Sequence, residues 1–231
     1  MTKQPYEPSP FALSPKEFEK ALPKHLECSD EDLAQIKIPG WRYDQISEAV
    51  LAMYERSGAN VMPLPILDII HGLGYSIAPY RALGPLIYEP LMKASPDALF
   101  LQFGNSSTPI ILFNDRQQPK RINFSIMHEV GHIELKHYEH CGLAEKEANY
   151  FASVALCPLD LLEHYGIGDE QKIVNLFNVS NEFAYNRMKA LNNRKGKHLS
   201  ESALKFRSGV INRFKFSEAY QMDIFADAVS F

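Results

Sequence analysis

Five residues, His128-Glu129-Val130-Gly131-His132, constrain this 231-residue chain more than any other stretch. Side chains four apart lie one turn apart on one face of an α-helix. Both imidazoles therefore face the same way if the segment is helical. The flanking pattern agrees. On a helical wheel with His128 at zero, Ile122, Ile126, Val130 and Ile133 cluster between about 120° and 200°, away from the histidines. A helix is predicted over residues 121–137, with an apolar stripe for a core and its histidines to one side. A random chain of this composition contains the five-residue pattern with a probability of roughly 0.02, so the context carries the weight. Gly131 weakens a helix and sits beside the histidine face, which marks a close approach by another backbone.

Two imidazoles so placed can reach one metal ion. Glu129 lies about 100° round from His128, close enough to lean over an open coordination position. Zinc suits imidazole nitrogen plus a carboxylate and keeps its fourth position for water. The bound water becomes acidic, and a glutamate can take its proton. A third protein ligand is then required. A His-x-x-Gly-x-x-His extension fails, because the chain has Leu135 and Tyr138 where glycine and histidine would stand. His137 and His140 follow in a polar Lys-His-Tyr-Glu-His tract that reads as an exposed turn. The next predicted helix, 144–157, has Ala148, Phe151, Ala152 and Leu156 on its buried side. Glu147 borders that side, whereas Glu145 points roughly 200° away and is expected to face water beside Lys146 or Lys136. A carboxylate at the edge of a buried face needs a partner, and a metal ion is one.

The rest of the chain divides by texture. Residues 1–24 contain five prolines and read as a loose arm with one short helix begun at Ser14-Pro15. A second start signal is Ser29-Asp30-Glu31-Asp32. An amphipathic helix is predicted over Tyr43 to Arg56, stopped by Ser57-Gly58, and a short one over Pro65 to Leu73. Strands are predicted at 75–79, 98–103 and 109–113, with Gly104 to Ser107 as a hairpin-like turn. After Pro119 only helices are evident, at 121–137, 144–157, 169–177 and 181–192. Strands first and helices after give an α+β expectation: a small three-stranded sheet packed on helices, followed by a helical C-terminal part.

Hydrophobic residues make up 45% and charged residues 23%, which excludes wholesale disorder. A net charge of −4 argues against a protein that coats nucleic acid. No apolar run is long enough to cross a bilayer, so no membrane partner is expected. The polar, proline-rich start lacks a signal segment. Three widely spaced cysteines, Cys28, Cys141 and Cys157, suit a reducing compartment. These features point to a cytoplasmic protein. Charge is uneven, for Arg187 to Lys215 carries nine Lys/Arg and one Glu. That stretch reads as a solvated helical hairpin, with a docking surface for an acidic partner or nucleic acid as the sharper alternative.

The sequence resembles the ImmA/IrrE-type zinc metallopeptidases, a gluzincin-like group. The matching residues are Arg121-x-x-Phe124-Ser125-x-x-His128-Glu129-x-Gly131-His132, then Glu147-Ala148-Asn149-x-Phe151-Ala152, then Cys157-Pro158. Leu64 to Tyr75, Ile110 to Asn114 and Val179 to Met188 are similar to the family's opening helix and strand, its strand before the active-site helix, and its helical pair. The resemblance covers about residues 60–192. It implies an endopeptidase with one catalytic zinc ion, held by His128, His132 and Glu147, with Glu129 as general base. It also implies a protein substrate, a repressor-type transcription regulator encoded nearby, often in a mobile element. The division that follows is 1–58 as N-terminal arm and helices of unknown role, 59–192 as the peptidase domain, and 193–231 as a basic then acidic tail.

Other residues have plainer expectations. Cys141 reads as a turn residue, and only as a fourth ligand if the zinc site were structural. Cys157 reads as a buried hydrophobe at a helix end. Asn149 is a candidate hydrogen-bond partner for a ligand. Tyr138 and Tyr150 are candidates to stabilise an oxyanion. Trp41 is expected to anchor the N-terminal helices in the core. Residues 173–190 also scan as a helix-turn-helix, so the rival reading is a regulatory or DNA-binding protein without peptidase activity. The paucity of basic residues before Arg187 favours a structural helix pair.

Overall fold

A computed structural model describes residues 35–102, 108–137 and 141–216. The expected helices at Ser14 and Ser29, the turn at Gly104 to Ser107, Tyr138, His140 and the acidic end 217–231 lie outside the described residues.

The architecture is α+β. A long helix α1 (Gly40–Ser57) leads into a two-residue strand β1 (Val61–Met62) and helix α2 (Ile66–Gly72). Strand β2 (Ser76–Pro79), a 3-10 turn (Tyr80–Leu83) and helix α3 (Pro85–Ala94) follow, then strands β3 (Ala98–Leu101) and β4 (Ile110–Phe113). Helices α4 (Pro119–Glu134), α5 (Gly142–Leu156), α6 (Leu159–His164), α7 (Glu170–Phe177), α8 (Asn181–Arg194) and α9 (Glu201–Arg213) come next, and strand β5 (Lys215–Phe216) ends the described chain.

The main sheet has the order β2-β4-β3. β2 pairs parallel to β4, with Ile77 opposite Ile111, and β3 pairs antiparallel to it, with Phe100 opposite Ile111. Both faces are covered, which explains why Ile110 to Phe113 is continuously apolar rather than alternating. Leu99, Leu101, Ile110 and Leu112 turn to one face and pack with Tyr80 and Leu91 of the 3-10 turn and α3. Phe100, Ile111 and Phe113 turn to the other and join the main core with Ile126, Met127 and Val130 of α4. A side-chain period of two places neighbours in a strand on opposite layers.

α3 escapes sequence reading because Pro90 lies inside it. The carbonyl of Leu86, one turn earlier, loses its helical donor, but Leu86 is 75% exposed and water can serve instead. α6 and the β1–β5 pair also go beyond the sequence expectation, while α9 falls in the stretch read as a helical hairpin. The β1–β5 pair is parallel, matching Met62 with Phe216, and two-residue strands leave no alternation to detect. Trp41 is 63% exposed rather than a core anchor. The α1 residues that fill that role are Ile46, Val50, Met53 and Tyr54.

One core runs from Ile46 on α1 to Phe216 on β5. α9 lies so close to α1 that a Cβ at Gly209 would stand 2.9 Å from the Leu51 methyl carbons. Internal pairing consumes part of the basic stretch. Arg187 is buried. Arg194 pairs with buried Asp160 and with Glu163 of α6, and Arg207 pairs with Glu163 at 2.6 Å. Lys195, Lys197 and Lys205 remain exposed. In the helix pair α7–α8, Ala184, Arg187 and Leu191 of the second helix face inward. Phe183 meets Phe124 of α4 edge-on at 6.0 Å. The first turn of α8 carries Glu182, a poor N-terminus to set against a phosphate.

Candidate metal centre

α4 and α5 build the site. They pack antiparallel, and Gly131 makes the contact close. A Cβ there would lie 3.2 Å from the Ala148 Cα and 3.1 Å from the Phe151 Cβ. Without a side chain at 131, α5 approaches the histidine face directly. Residues of α5 four apart then meet residues of α4 four apart: Asn149 reaches His128, and Glu145 reaches both histidines.

The Nε2 atoms of His128 and His132 lie 3.0 Å apart. Glu145 Oε2 is 3.2 Å from His128 Nε2, and Glu145 Oε1 is 3.4 Å from His132 Nε2. Zinc takes nitrogen and oxygen ligands at about 2.0–2.2 Å in tetrahedral geometry, which sets neighbouring ligand atoms about 3.3 Å apart. The nearest contacts among the three side chains are of that order, with a different carboxylate oxygen facing each imidazole. Two imidazoles and one carboxylate also match the donor set of catalytic rather than structural zinc, with one position left for water. His128, His132 and Glu145 therefore form a group that could hold a metal ion.

Hydrogen bonds assign the imidazole protons. His128 Nδ1 is 2.9 Å from Asn149 Oδ1, an acceptor, so Nδ1 carries the hydrogen and Nε2 keeps its lone pair. The two histidines also differ in proton affinity. Burial pulls His128 down, but Glu145 and Glu129 outweigh it and the net direction is upward. Burial holds His132 down at about 4, with the neighbouring His128 adding to the effect.

The carboxylate beside the two histidines is not the one the sequence reading placed there. Glu145 turns toward the histidines instead of toward water. Lys146, expected as its partner, donates to the Ile36 carbonyl at 2.6 Å. Glu147 is buried, as its helix position implied, but a cation and an imidazole bind its carboxylate. Arg42 of α1 donates to it through Nε at 2.9 Å and Nη2 at 2.6 Å, and His137 Nε2 lies 3.0 Å away. Burial raises the Glu147 pKa, yet Arg42 and His137 together bring it below the usual carboxylate value. The helical wheel places Glu147 on the buried side, as observed, and its partners in the structure are Arg42 and His137. The available signal was the Glu145–Asn149 spacing, which puts two imidazole-binding groups on one stripe.

The remaining expectations sort plainly. Glu129 is buried at the site, 7% exposed, and its charge acts on His128. His137 is not exposed, since its side chain is only 9% accessible. Arg121 pairs with Asp97, bidentately at 2.8 Å. Tyr150 packs edge-on against Tyr43 at 4.7 Å. Phe100 of β3 stacks on His132, with ring centres 6.4 Å apart. Cys141 is exposed ahead of α5, and Cys157 is buried at its end. Arg42 was invisible to sequence reading, since 105 residues separate it from Glu147.

Residues 82–189 match the family model of the IrrE N-terminal-like domain, peptidase family M78. Over this segment the chain is similar to the ImmA/IrrE-type family. The segment runs from the 3-10 turn into α8 and contains every residue of the histidine–carboxylate group. α1, with Arg42, and α9 lie outside it. No curated protein matches the chain. The domain is of peptidase type, and among the described residues no helix is long and apolar enough to cross a membrane.

Proposed function

We propose that the chain is a zinc-dependent endopeptidase that cuts a specific protein partner, with a repressor-type transcription regulator as the favoured substrate. One observation carries the reading. Two imidazole Nε2 atoms 3.0 Å apart face the Glu145 carboxylate, whose two oxygens lie 3.2 and 3.4 Å from them, next to a buried glutamate that the motif supplies. Two lone pairs at that distance repel unless something positive lies between them. His128, His132 and Glu145 are the proposed ligands, with Glu145 in place of Glu147.

A bound zinc ion supplies Lewis acidity toward a scissile carbonyl and a water molecule. Glu129 takes a proton from the attacking water and returns it to the leaving amine. Its burial excludes bulk water from that transfer. Asn149 holds the His128 ring in the orientation that presents Nε2. The rival reading of residues 173–190 as a DNA-binding pair finds no support in α8, whose inward face and acidic first turn are already described.

The test combines metal analysis with cleavage. Glu129→Gln should keep stoichiometric zinc yet lose the discrete cut in a regulator encoded beside this chain. A loss of about 10²–10⁴-fold is the range for removing a general base. Glu145→Ala should lose zinc, as should His128→Ala. Zinc retained in Glu145→Ala would refute the ligand set. Undiminished cleavage by Glu129→Gln would refute the base.

A further inference from the structure

We propose that Glu147, His137 and Arg42 form a positioning relay that locks His132 in the tautomer able to bind metal. The inference rests on the ligand set proposed above and concerns a role for residues outside it.

The relay follows from donors and acceptors. Arg42 grips the Glu147 carboxylate from one side, through both Nε and Nη2. The carboxylate can only accept, so the His137 Nε2 facing Glu147 Oε2 at 3.0 Å carries a hydrogen. A neutral His137 then has its lone pair on Nδ1. That Nδ1 lies 3.0 Å from His132 Nδ1. The ligand set proposed above puts its ion at the facing Nε2 atoms of His128 and His132 and none between His137 and His132, so this second contact needs a hydrogen, and His132 carries it on Nδ1. Its lone pair is left on Nε2, aimed at His128 Nε2 and Glu145. The opposite tautomer of His132 would set the His137 lone pair against the carboxylate of Glu147.

The backbone supports this arrangement. α4 ends with Lys136 in the left-handed region at φ 57°. Lys136 N–H donates to the Ile133 carbonyl and His137 N–H to the His132 carbonyl at 3.0 Å. This double closure folds residue 137 back over the last turn. Lysine tolerates that conformation less well than glycine. The turn therefore keeps His137 beneath His132 despite a local cost. Arg42 comes from α1, so the relay ties the N-terminal helix to the metal-facing ring.

The His137→Phe and Glu147→Leu variants break the relay and leave His128, His132 and Glu145 in place. Outer-shell partners of this kind typically contribute 10–100-fold to metal affinity. Zinc affinity, measured by competition with a chromophoric chelator, should fall by about that factor in both. Glu147→Gln should recover most of the loss, because its amide oxygen still accepts from His137. The second readout needs no variant and no metal. Nitrogen-15 correlation spectra of the metal-free wild-type protein should show His132 protonated on Nδ1, and His137→Phe should lose that uniform assignment. His132 protonated on Nε2 in the wild type would overturn the relay, as would unchanged zinc affinity in His137→Phe. Glu145→Ala separates the two claims. If it keeps zinc while Glu147→Gln loses it, Glu147 is itself a ligand and the ligand set fails. If Glu145→Ala loses zinc while His137→Phe binds normally, the ligand set stands and only the relay falls.

Discussion

Cys157 illustrates how burial decides chemistry at a single residue. It closes α5 with no exposed surface, and its thiol is pushed up to about 12 by burial, with Arg187 opposing. A solvated thiol titrates near 9.0, so between pH 9 and 12 the unfolded chain releases a proton that the native state retains. Native stability from this group is thus complete below pH 9 and declines as pH rises toward 12. Only the thiolate is nucleophilic. In native protein at pH 8, iodoacetamide should modify exposed Cys141 while Cys157 reacts only after unfolding. Peptide mass mapping checks this, and equal labelling of the two would contradict it. The same scale shows where sequence reading stops. Cys157 was legible as a buried hydrophobe from its helix-end position. His137 was not, because its partners Glu147 and Arg42 come from other helices.

At the scale of elements, the α4–α5 contact decides whether a site exists. Gly131 leaves room for the Ala148 backbone, and a methyl group there would lie 3.1–3.2 Å from Ala148 and Phe151 atoms. Gly131→Ala gains roughly 0.5–1 kcal/mol of helix propensity. It loses about 1–3 kcal/mol to overpacking against a backbone that cannot yield as a flexible side chain can. The expected net result is a loss of about 1 kcal/mol, lowering the melting temperature by about 2–4 °C. Zinc affinity should fall as well, because Glu145 rides on the helix that is displaced. Gly168→Ala is the control. It has no neighbour within 4 Å, and its melting temperature should be near that of the wild type. Calorimetry with and without zinc tests both. Equal effects at the two glycines would show that the close approach is not the determinant.

The whole molecule holds together through elements far apart in sequence. α1 and α9 flank the family-matched segment on either side and close its core. Tyr54 of α1 donates to the Ala155 carbonyl at 2.6 Å and meets Phe214 edge-on at 4.7 Å. Arg56 of α1 and Tyr75 beside β2 both bind Glu134 at the end of the histidine helix, at 2.5 and 2.7 Å. Phe214→Ala should therefore cost about 3–5 kcal/mol, the range for truncating a buried phenylalanine. Zinc affinity measured well below the melting temperature should stay unchanged, since Phe214 touches no ligand. Urea unfolding followed by circular dichroism checks the stability. A negligible change would mean that residues 193–231 are a tail independent of the peptidase domain. We expect instead that residues 59–192 alone do not fold stably.

The sequence by itself determined the histidine helix, its apolar stripe, the three strands and the α+β class. Each of these depends on spacing within one segment, and backbone periodicity converts spacing into direction. It also marked Gly131 as a close approach, because a helical glycine needs a neighbour to explain it. Only the tertiary structure decided which glutamate of α5 meets the histidines. Glu145 and Glu147 differ by two residues, and the rotation of one helix against another selects between them. That rotation is set by packing at Gly131 and by Arg42, which claims Glu147 from a helix 105 residues away. Such a charge pair leaves no periodic trace in either segment, so it exists only once the chain has folded.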